Sequence, residues 1–260
     1  MHYKPQLPDE SVNVTSNNFF VEAFKLLVGL VVVLILSYAL LMFVIGVGID
    51  HLSIDHEKKI HKMLAQKIDR NQSKEEHYLQ SIVDDLNRCA KLPYNLEVSI
   101  SSSSQVNAMA LIGGRIIVTQ GMLDAIQNEN ELSFVLGHEM AHFKHRDHLK
   151  GMSSGIVLTL FSIFLGNNSS TILNQLLEME QMHYSKKQES HADRFGVDML
   201  MCRYNTTVGS SDLFARMTQE DQWSDFMLTH PNFSKRVKKI ENYIVQKGLN
   251  QKGESVPLQF

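Results

Sequence analysis

The sequence predicts an α+β protein, mostly helical, in which one transmembrane helix precedes a folded domain. Three observations support this fold class. An uncharged apolar run extends from Leu26 to Ile49. Three short β-like runs lie together between 96 and 119. In most of the remaining chain, apolar residues recur at the three-to-four-residue spacing of amphipathic helices.

The composition predicts four regions along the chain. They are a polar N-terminal tail at 1–25, a transmembrane anchor at 26–49, a folded domain at 51–247 and a flexible C-terminal tail at 248–260. The anchor run satisfies the length of about 20 apolar residues that a bilayer requires. A cleaved signal peptide is less favoured, because the run is too long for the apolar part of such a signal. We therefore expect a single-pass protein of the cell (inner) membrane, in contact with lipid through residues 26–49.

Neither charge nor cysteine content adds a further partner. The net charge of -3 gives no reason to expect nucleic acid. By the positive-inside rule, the lysines that follow the anchor weakly favour a cytoplasmic domain, but they do not decide on which side of the membrane the domain lies. Cys89 and Cys202 fit neither a disulfide framework nor a cysteine-rich zinc site. We expect two buried thiols, with one disulfide as the alternative if the domain faces an oxidising compartment.

Periodicity and turn residues predict the order of elements in the domain. The helices are expected at 51–91 with a break near 71–73, at 121–126, around 138–142, from about 171 to 202, at 210–217 and at 234–245. The strands are expected at 96–100, 108–112 and 115–119, with a Gly113-Gly114 turn between the last two. The apolar run at 156–165 is short for a second span, so we expect a buried helix or one at the membrane surface.

The chemistry centres on the motif His138-Glu139-Met140-Ala141-His142. Two histidines one helical turn apart share a face and can both ligate one metal ion. A glutamate directly after the first histidine can act on a metal-bound water as a general base without being a ligand. Asn128 or Asn130 is the expected N-cap of this helix. The pattern predicts a zinc peptidase centre.

A catalytic zinc needs a third protein ligand, and two residues are candidates. Glu189 completes a two-histidine, one-glutamate set, and Asp193, one turn later on the same face, can accept the second ring N–H of a ligating histidine. His148 offers an alternative three-histidine set. That set requires the chain to reverse at His145, a position where glycine is normally needed. We therefore favour Glu189 over His148.

Several further pieces, in order, resemble one family. They are Asn107-Ala108-Met109-Ala110 followed by Gly113-Gly114-Arg115-Ile116-Ile117-Val118-Thr119-Gln120-Gly121-Met122-Leu123, then Asn130-Glu131-Leu132 with the metal motif, Arg146-Asp147-His148, Glu189 to Asp193, and His230-Pro231 with Arg236. The chain resembles the membrane-associated gluzincin peptidases, which include bacterial HtpX proteases, CAAX prenyl proteases and OMA-type mitochondrial proteases. With one clear span it looks like a single-anchor, bacterial-like branch. Prenyl-protein cleavage is therefore not expected.

The resemblance implies a zincin-like domain with a small β-sheet beside the active-site helix. It implies one Zn²⁺ per chain on His138, His142 and Glu189, with Glu139 as general base. It also implies that His230 is an oxyanion donor, that Arg236 is its orienter or a second donor, and that Asn107, Ala108, Met109 and Ala110 bind substrate along a sheet edge. The expected substrates are unfolded or damaged membrane or envelope polypeptides. The alternative is a catalytically silent, chaperone-like or metal-sensing relative of the same fold.

Overall fold

The computed structural model describes residues 18–50, 53–57, 73–151, 184–218, 230 and 233–259. The chain divides into two units, Met1–Val47 and Gly48–Phe260. The helices are α1 (Phe19–Asp50), α2 (Lys74–Ala90), α3 (Gln120–Ala125), α4 (Glu129–Lys144), α5 (Asp147–Gly151), α6 (Lys186–Tyr204), α7 (Asp212–Met217) and α8 (Phe233–Lys247). The strands are β1 (Glu97–Ser101), β2 (Ala108–Leu111) and β3 (Arg115–Thr119). A further helical turn covers 54–57.

The first unit is built on α1. Its stretch Phe19–Leu41 is long and apolar enough to cross a membrane, and no other helix in the described ranges meets that criterion. The helix begins earlier than the predicted anchor, because apolar residues continue upstream of Lys25. Side chains from Phe19 to Leu41 are exposed around the whole circumference. A helix that is apolar on every side suits lipid rather than water.

The second unit contains a helical core that begins at α2. Ser73 caps this helix and forms a capping box with Glu76, which defines the helix start. The apolar face predicted from helical spacing is fully buried, namely Leu79, Ile82, Val83 and Leu86. The mostly helical α+β fold class is confirmed, with a small mixed sheet beside the helices.

The sheet has the strand order β1-β3-β2. β3 is parallel to β1 and antiparallel to β2. Gly113 and Gly114 form the predicted turn, and their φ angles of 85° and 94° are readily reached only by glycine. β2 packs against α4 and forms an edge of the described sheet. Within the described residues, an edge strand of the sheet therefore lies against the helix that carries the histidine motif.

Two glycines allow α4 and α6 to cross closely. A Cβ atom built on Gly137 of α4 would lie 3.2 Å from the Cα of Gly196 on α6. A Cβ on Gly196 would lie 3.0 Å from the ring of Phe134. Larger residues at either position would push the helices apart. The close crossing brings the middle of α4, with His138, to the face of α6 that carries Glu189 and Asp193.

The cysteines form a disulfide between α2 and α6, so the expectation of two free thiols is wrong. Cys89 and Cys202 are separated by 113 residues in sequence, but their Cα atoms lie 6.2 Å apart. Neither cysteine is fully buried. Sequence spacing could not indicate the bond, because the two residues meet only through packing of the helices that carry them.

The C-terminal segment differs from the flexible tail expected at 248–260. Through 259 it forms neither helix nor strand, but it is held at specific points. The amide of Glu129 donates to the carbonyl of Val256, and the amide of Val256 donates to the side-chain oxygen of Asn130. Leu249 and Leu258 pack against the core. Its polar composition predicted a flexible segment, but the backbone groups of Val256 form hydrogen bonds at the start of α4.

Two expectations about the middle of the chain have different outcomes. The helix expected at 156–165 lies outside the described residues. The helix expected from about 171 to 202 is not continuous, because Tyr184 and Ser185 are not helical. Ser185 instead caps α6 and forms a capping box with Gln188. This Ser-x-x-Gln signal was present in the sequence and marks the true start of the helix that carries Glu189.

Candidate metal centre

α4 presents both motif histidines on one face. Asn128, one of the two predicted caps, begins the helix, and its side-chain oxygen accepts a hydrogen bond from the amide of Glu131. The rings of His138 and His142 have centroids 5.0 Å apart and are both buried. The local spacing of the motif therefore produces the paired imidazoles that it predicted.

α6 brings Glu189 to the same point, and His230 lies beside it. One potential ligand atom from each of four buried residues, His138, His142, Glu189 and His230, lies within 4.8 Å of the others. The Nε2 atoms of His138 and His142 are 3.7 and 3.8 Å from the two carboxylate oxygens of Glu189. Both of these oxygens also lie within 3.1 Å of His230 Nδ1. The residues predicted as ligands meet at one place.

Two carboxylates orient the histidines from behind. Asp193 Oδ1 lies 3.1 Å from His138 Nδ1, as the spacing of Glu189 and Asp193 predicted. Asp147 Oδ2 lies 3.4 Å from His142 Nδ1, and its other oxygen accepts a hydrogen bond from Gln188. An imidazole that donates through Nδ1 keeps Nε2 free as a ligand. Asp147 belongs to the Arg146-Asp147-His148 motif, but no role was predicted for its carboxylate.

Arg236 binds the carboxylates of α6. Its guanidinium lies 2.6 Å from Asp193 Oδ1 and 2.7 Å from Glu189 Oε2, and it also contacts the carbonyl of His230. Burial alone raises the pKa of Glu189, but the adjacent His230 and Arg236 outweigh it and hold the pKa below its usual range. Glu189 is therefore an anion in a fully buried setting. Arg236 faces its carboxylate partners, which is the geometry of an orienting residue.

Glu139 has a different environment from Glu189. It is completely buried, and neither carboxylate oxygen has a hydrogen-bond partner among the described residues. Burial raises its pKa. His230 Nε2 lies 3.8 Å from Glu139 Oε1, so the two side chains face the same space. A carboxylate that has a raised pKa and accepts no hydrogen bond from the described residues is suited to accepting a proton.

His148 does not join the cluster. Its Nδ1 lies 3.1 Å from the carbonyl of His142, and its Nε2 lies 3.1 Å from Glu57. Both ring nitrogens are therefore already engaged. The chain reverses at Arg146, whose φ is 56°, rather than at His145. Glu189, rather than His148, therefore lies beside the two motif histidines.

Sequence reasoning missed Tyr184. Its ring stacks on His142 with centroids 3.7 Å apart and an interplanar angle of 8°. Its hydroxyl is buried and has no hydrogen-bond partner in the part of the chain that the structure describes. The capping box at Ser185 was the signal that could have placed Tyr184 just before α6 and close to Glu189.

The predicted substrate strand lies at the sheet edge. Ala108, Met109 and Ala110 belong to β2, and Asn107 precedes it. The backbone of Asn107 pairs with Thr119 on the β3 side. Its buried side-chain oxygen has no hydrogen-bond partner within the described ranges. Because β2 pairs only with β3 in the described sheet, its other edge can accept a further strand.

The cluster passes a chemical test for a metal ion. The Nε2 atoms of His138 and His142 are buried, and neither has a hydrogen-bond partner among the described residues. Burying a polar nitrogen without a hydrogen-bond partner destabilises the folded protein, unless a ligand such as a metal ion binds the nitrogen. Burial lowers the pKa of His142 to about 3, which keeps its imidazole neutral and able to ligate. Two imidazoles and a carboxylate match the donor set of catalytic zinc sites.

Comparison with known proteins agrees with the fold and the cluster. The model of peptidase family M48 matches residues 73–244. A protease HtpX homolog of Salinibacter ruber is 31% identical over 183 residues, which is 62% of this chain and 64% of that protein. Metalloprotease LoiP of Escherichia coli is 28% identical over 60% of this chain and 65% of its own length. The human mitochondrial metalloendopeptidase OMA1 is 26% identical over 58% of this chain and 33% of its own length.

The chain thus spans less than two thirds of each of these relatives. The matched segment nevertheless begins with α2 and extends into α8, so it contains every residue of the histidine and carboxylate cluster. Since the family model covers more than half of the sequence and the cluster has the donors of a metallopeptidase, the chain belongs to peptidase family M48.

Proposed function

We propose that this M48 metallopeptidase is a membrane-anchored zinc endopeptidase that cleaves unfolded or damaged membrane or envelope proteins. One observation carries the proposal. Three buried ligand atoms, from His138, His142 and Glu189, converge beside the carboxylate of Glu139, which accepts no hydrogen bond from the described residues. Burying a carboxylate without such bonds costs stability, so its presence next to a metal donor set indicates a catalytic use.

The residues divide the work as follows. His138, His142 and Glu189 hold Zn²⁺, which when bound polarises the substrate carbonyl and lowers the pKa of water. Glu139 takes a proton from the attacking water and returns it to the leaving amine. Asp193 and Asp147 hold the histidine rings, which fixes the nitrogens that face the metal.

His230 and Arg236 complete the proposed machinery. His230 Nε2 faces the same space as Glu139, from which it can donate to the developing oxyanion. Burial alone lowers the pKa of His230, but Glu189 and Glu139 outweigh it and raise the pKa, which favours a ring that can donate. Arg236 binds Asp193 and the carbonyl of His230, so we assign it an orienting role.

Substrate is proposed to bind as an extra strand along β2. The edge of β2 that has no partner strand among the described residues offers backbone groups from Asn107 to Ala110 beside α4. Backbone pairing is largely independent of side-chain identity, so it suits polypeptides of varied sequence. This mode of binding supports a role in clearing unfolded protein rather than in cutting one defined site.

The anchor is proposed to be α1, with lipid contact through 26–49. The disulfide between Cys89 and Cys202 supports an oxidising compartment for the domain, because such bonds are rare in the cytosol. The disulfide outweighs the positive charges that favour a cytoplasmic domain, because those lysines fall in the expected domain at 51–247 and are mixed with acidic residues. Protease protection in intact cells or spheroplasts tests the orientation. Protection of the domain in spheroplasts, with cleavage after lysis, would place it in the cytoplasm.

Casein hydrolysis by the full chain in detergent micelles tests the activity. We expect cleavage by the wild type and a loss of at least about 100-fold in Glu139→Gln, the range for removing a general base. The matched control is Glu241→Gln, on an exposed face of α8. Activity that survives in Glu139→Gln would refute the mechanism. Stoichiometric zinc binding without hydrolysis in either protein would favour the silent or metal-sensing alternative.

A further inference from the structure

Glu57 is a buried carboxylate that the proposed chemistry does not use. It lies in the helical turn at 54–57, soon after α1 ends, and it is 0% exposed. Its Oε1 lies 2.8 Å from Arg146 Nη2, and its Oε2 lies 3.1 Å from His148 Nε2. The hydroxyl of Tyr94 donates to Oε1 at 3.4 Å. A charge buried this fully requires such partners, so the contacts are a specific feature of the fold.

The partners of Glu57 flank a residue of the metal centre. Arg146 and His148 lie on either side of Asp147, whose carboxylate contacts His142 Nδ1. His148 also contacts the backbone carbonyl of His142 through Nδ1. Two short routes therefore connect Glu57 to His142, one through the ring of His148 and the other through the turn at Arg146.

The turn at Arg146 is conformationally unfavourable for its residue. Its φ of 56° lies in the left-handed region, which disfavours side chains with a Cβ atom. This conformation reverses the chain after α4, so Asp147 points back toward His142 only five residues earlier. A strained turn persists when surrounding contacts hold it, and the ion pair with Glu57 is such a contact.

We infer that Glu57 is a positioning residue for the metal centre, acting through Arg146 and His148. It holds the reversed turn, and thereby keeps Asp147 and the carbonyl of His142 in place while His142 ligates. The inference rests on the proposed zinc site. Glu57 lies outside the segment that matches the family, residues 73–244, so it is a contribution of the chain around the peptidase core.

Zinc affinity of the full chain in detergent, measured by competition with a chromophoric chelator, tests the inference. We compare the wild type with Glu57→Gln, which keeps the size and removes the charge, and with the exposed control Glu241→Gln. We expect Glu57→Gln to weaken zinc binding by about 10-fold, the low end of the range for direct partners of metal ligands, because Glu57 acts one contact further out than Asp147. The control should bind like the wild type.

The outcomes separate this inference from the proposed function. If the wild type binds no zinc, the proposed site is wrong. If the wild type binds zinc and Glu57→Gln binds it equally well, Glu57 does not position the site. This conclusion holds even if Glu57→Gln has a lower thermal midpoint than the wild type. A structural role alone would lower the midpoint and leave the affinity of the folded protein unchanged.

A second pair of variants tests the turn and does not depend on the folding of Glu57→Gln. Arg146→Gly and Arg146→Ala both remove the ion pair, but only glycine adopts a φ of 56° without strain. We expect Arg146→Gly to retain tighter zinc binding than Arg146→Ala, by about 5-fold or more, which is the fold-change that corresponds to the lower end of a typical left-handed penalty. Equal affinities in the two variants would overturn the part of the inference that concerns the turn.

Discussion

Replacing Cys89 and Cys202 by serine is expected to lower the free energy of unfolding by about 4–5 kcal/mol, according to the chain-entropy model of disulfides. The bond joins residues 113 apart in sequence, so its loss releases a long loop in the unfolded chain. Neither cysteine is fully buried, and Cys202 is exposed, so serine sacrifices little packing. Almost all of the effect should therefore come from the unfolded state.

Urea unfolding of the domain signal, followed by near-ultraviolet circular dichroism in detergent, measures this change. The denaturant dependence of the free energy should also rise, because an unfolded chain without the bond exposes more surface. Either single replacement should match the double replacement, since each one breaks the same bond. Wild type treated with a thiol reductant is the matched control and should behave like the variants.

A loss of less than about 1 kcal/mol would refute the reasoning, because it falls below the usual range for native disulfides. A single variant that is much less stable than the double would also contradict it. That result would indicate that packing or an unpaired thiol, rather than loop closure, dominates the effect.

Two further predictions concern the metal centre, and a third concerns a close backbone contact. Removing metal with a chelator should abolish casein hydrolysis and lower the thermal midpoint, and added Zn²⁺ should restore both. A thermal midpoint that is unchanged by the chelator would contradict a buried metal site. Asp193→Asn should weaken zinc binding by about 10- to 100-fold, because it loosens the ring of His138; unchanged affinity in chelator competition would refute that role. Gly121→Ala should destabilise the domain by about 1–3 kcal/mol, because its Cβ would lie 2.2 Å from the carbonyl oxygen of Ser104; a thermal midpoint equal to that of the wild type would contradict it.

Features that depend on neighbouring residues were predictable from the sequence. The histidine pair follows from the helical repeat, and so does the shared face of Glu189 and Asp193. The glycine turn and the flanking strands follow from local conformational preference, and all three strands lie within one residue of their expected bounds. In each case the physical cause lies within about one turn or one hairpin, so the chain needs no distant partner to specify it.

The structure differs from the sequence-based expectations at the C-terminus and before α6. The C-terminal tail is polar, but its backbone pairs with Glu129 and Asn130 at the start of α4. The helix expected from about 171 to 202 does not include Tyr184 or Ser185, and α6 begins after the capping box of Ser185. The C-terminal contacts depend on a distant partner, whereas the capping box is a local signal that the sequence contains.

Residue identity at short spacing is enough to indicate the candidate metal ligands, the glutamate beside them, the apolar helix and the family resemblance. Which distant residues meet depends on the tertiary structure. It paired Cys89 with Cys202, stacked Tyr184 on His142 and placed Glu57 behind the turn at Arg146. These contacts depend on how α2, α4 and α6 pack together and on how the chain reverses after α4. Such packing results from the whole core, and no short stretch of residues encodes it.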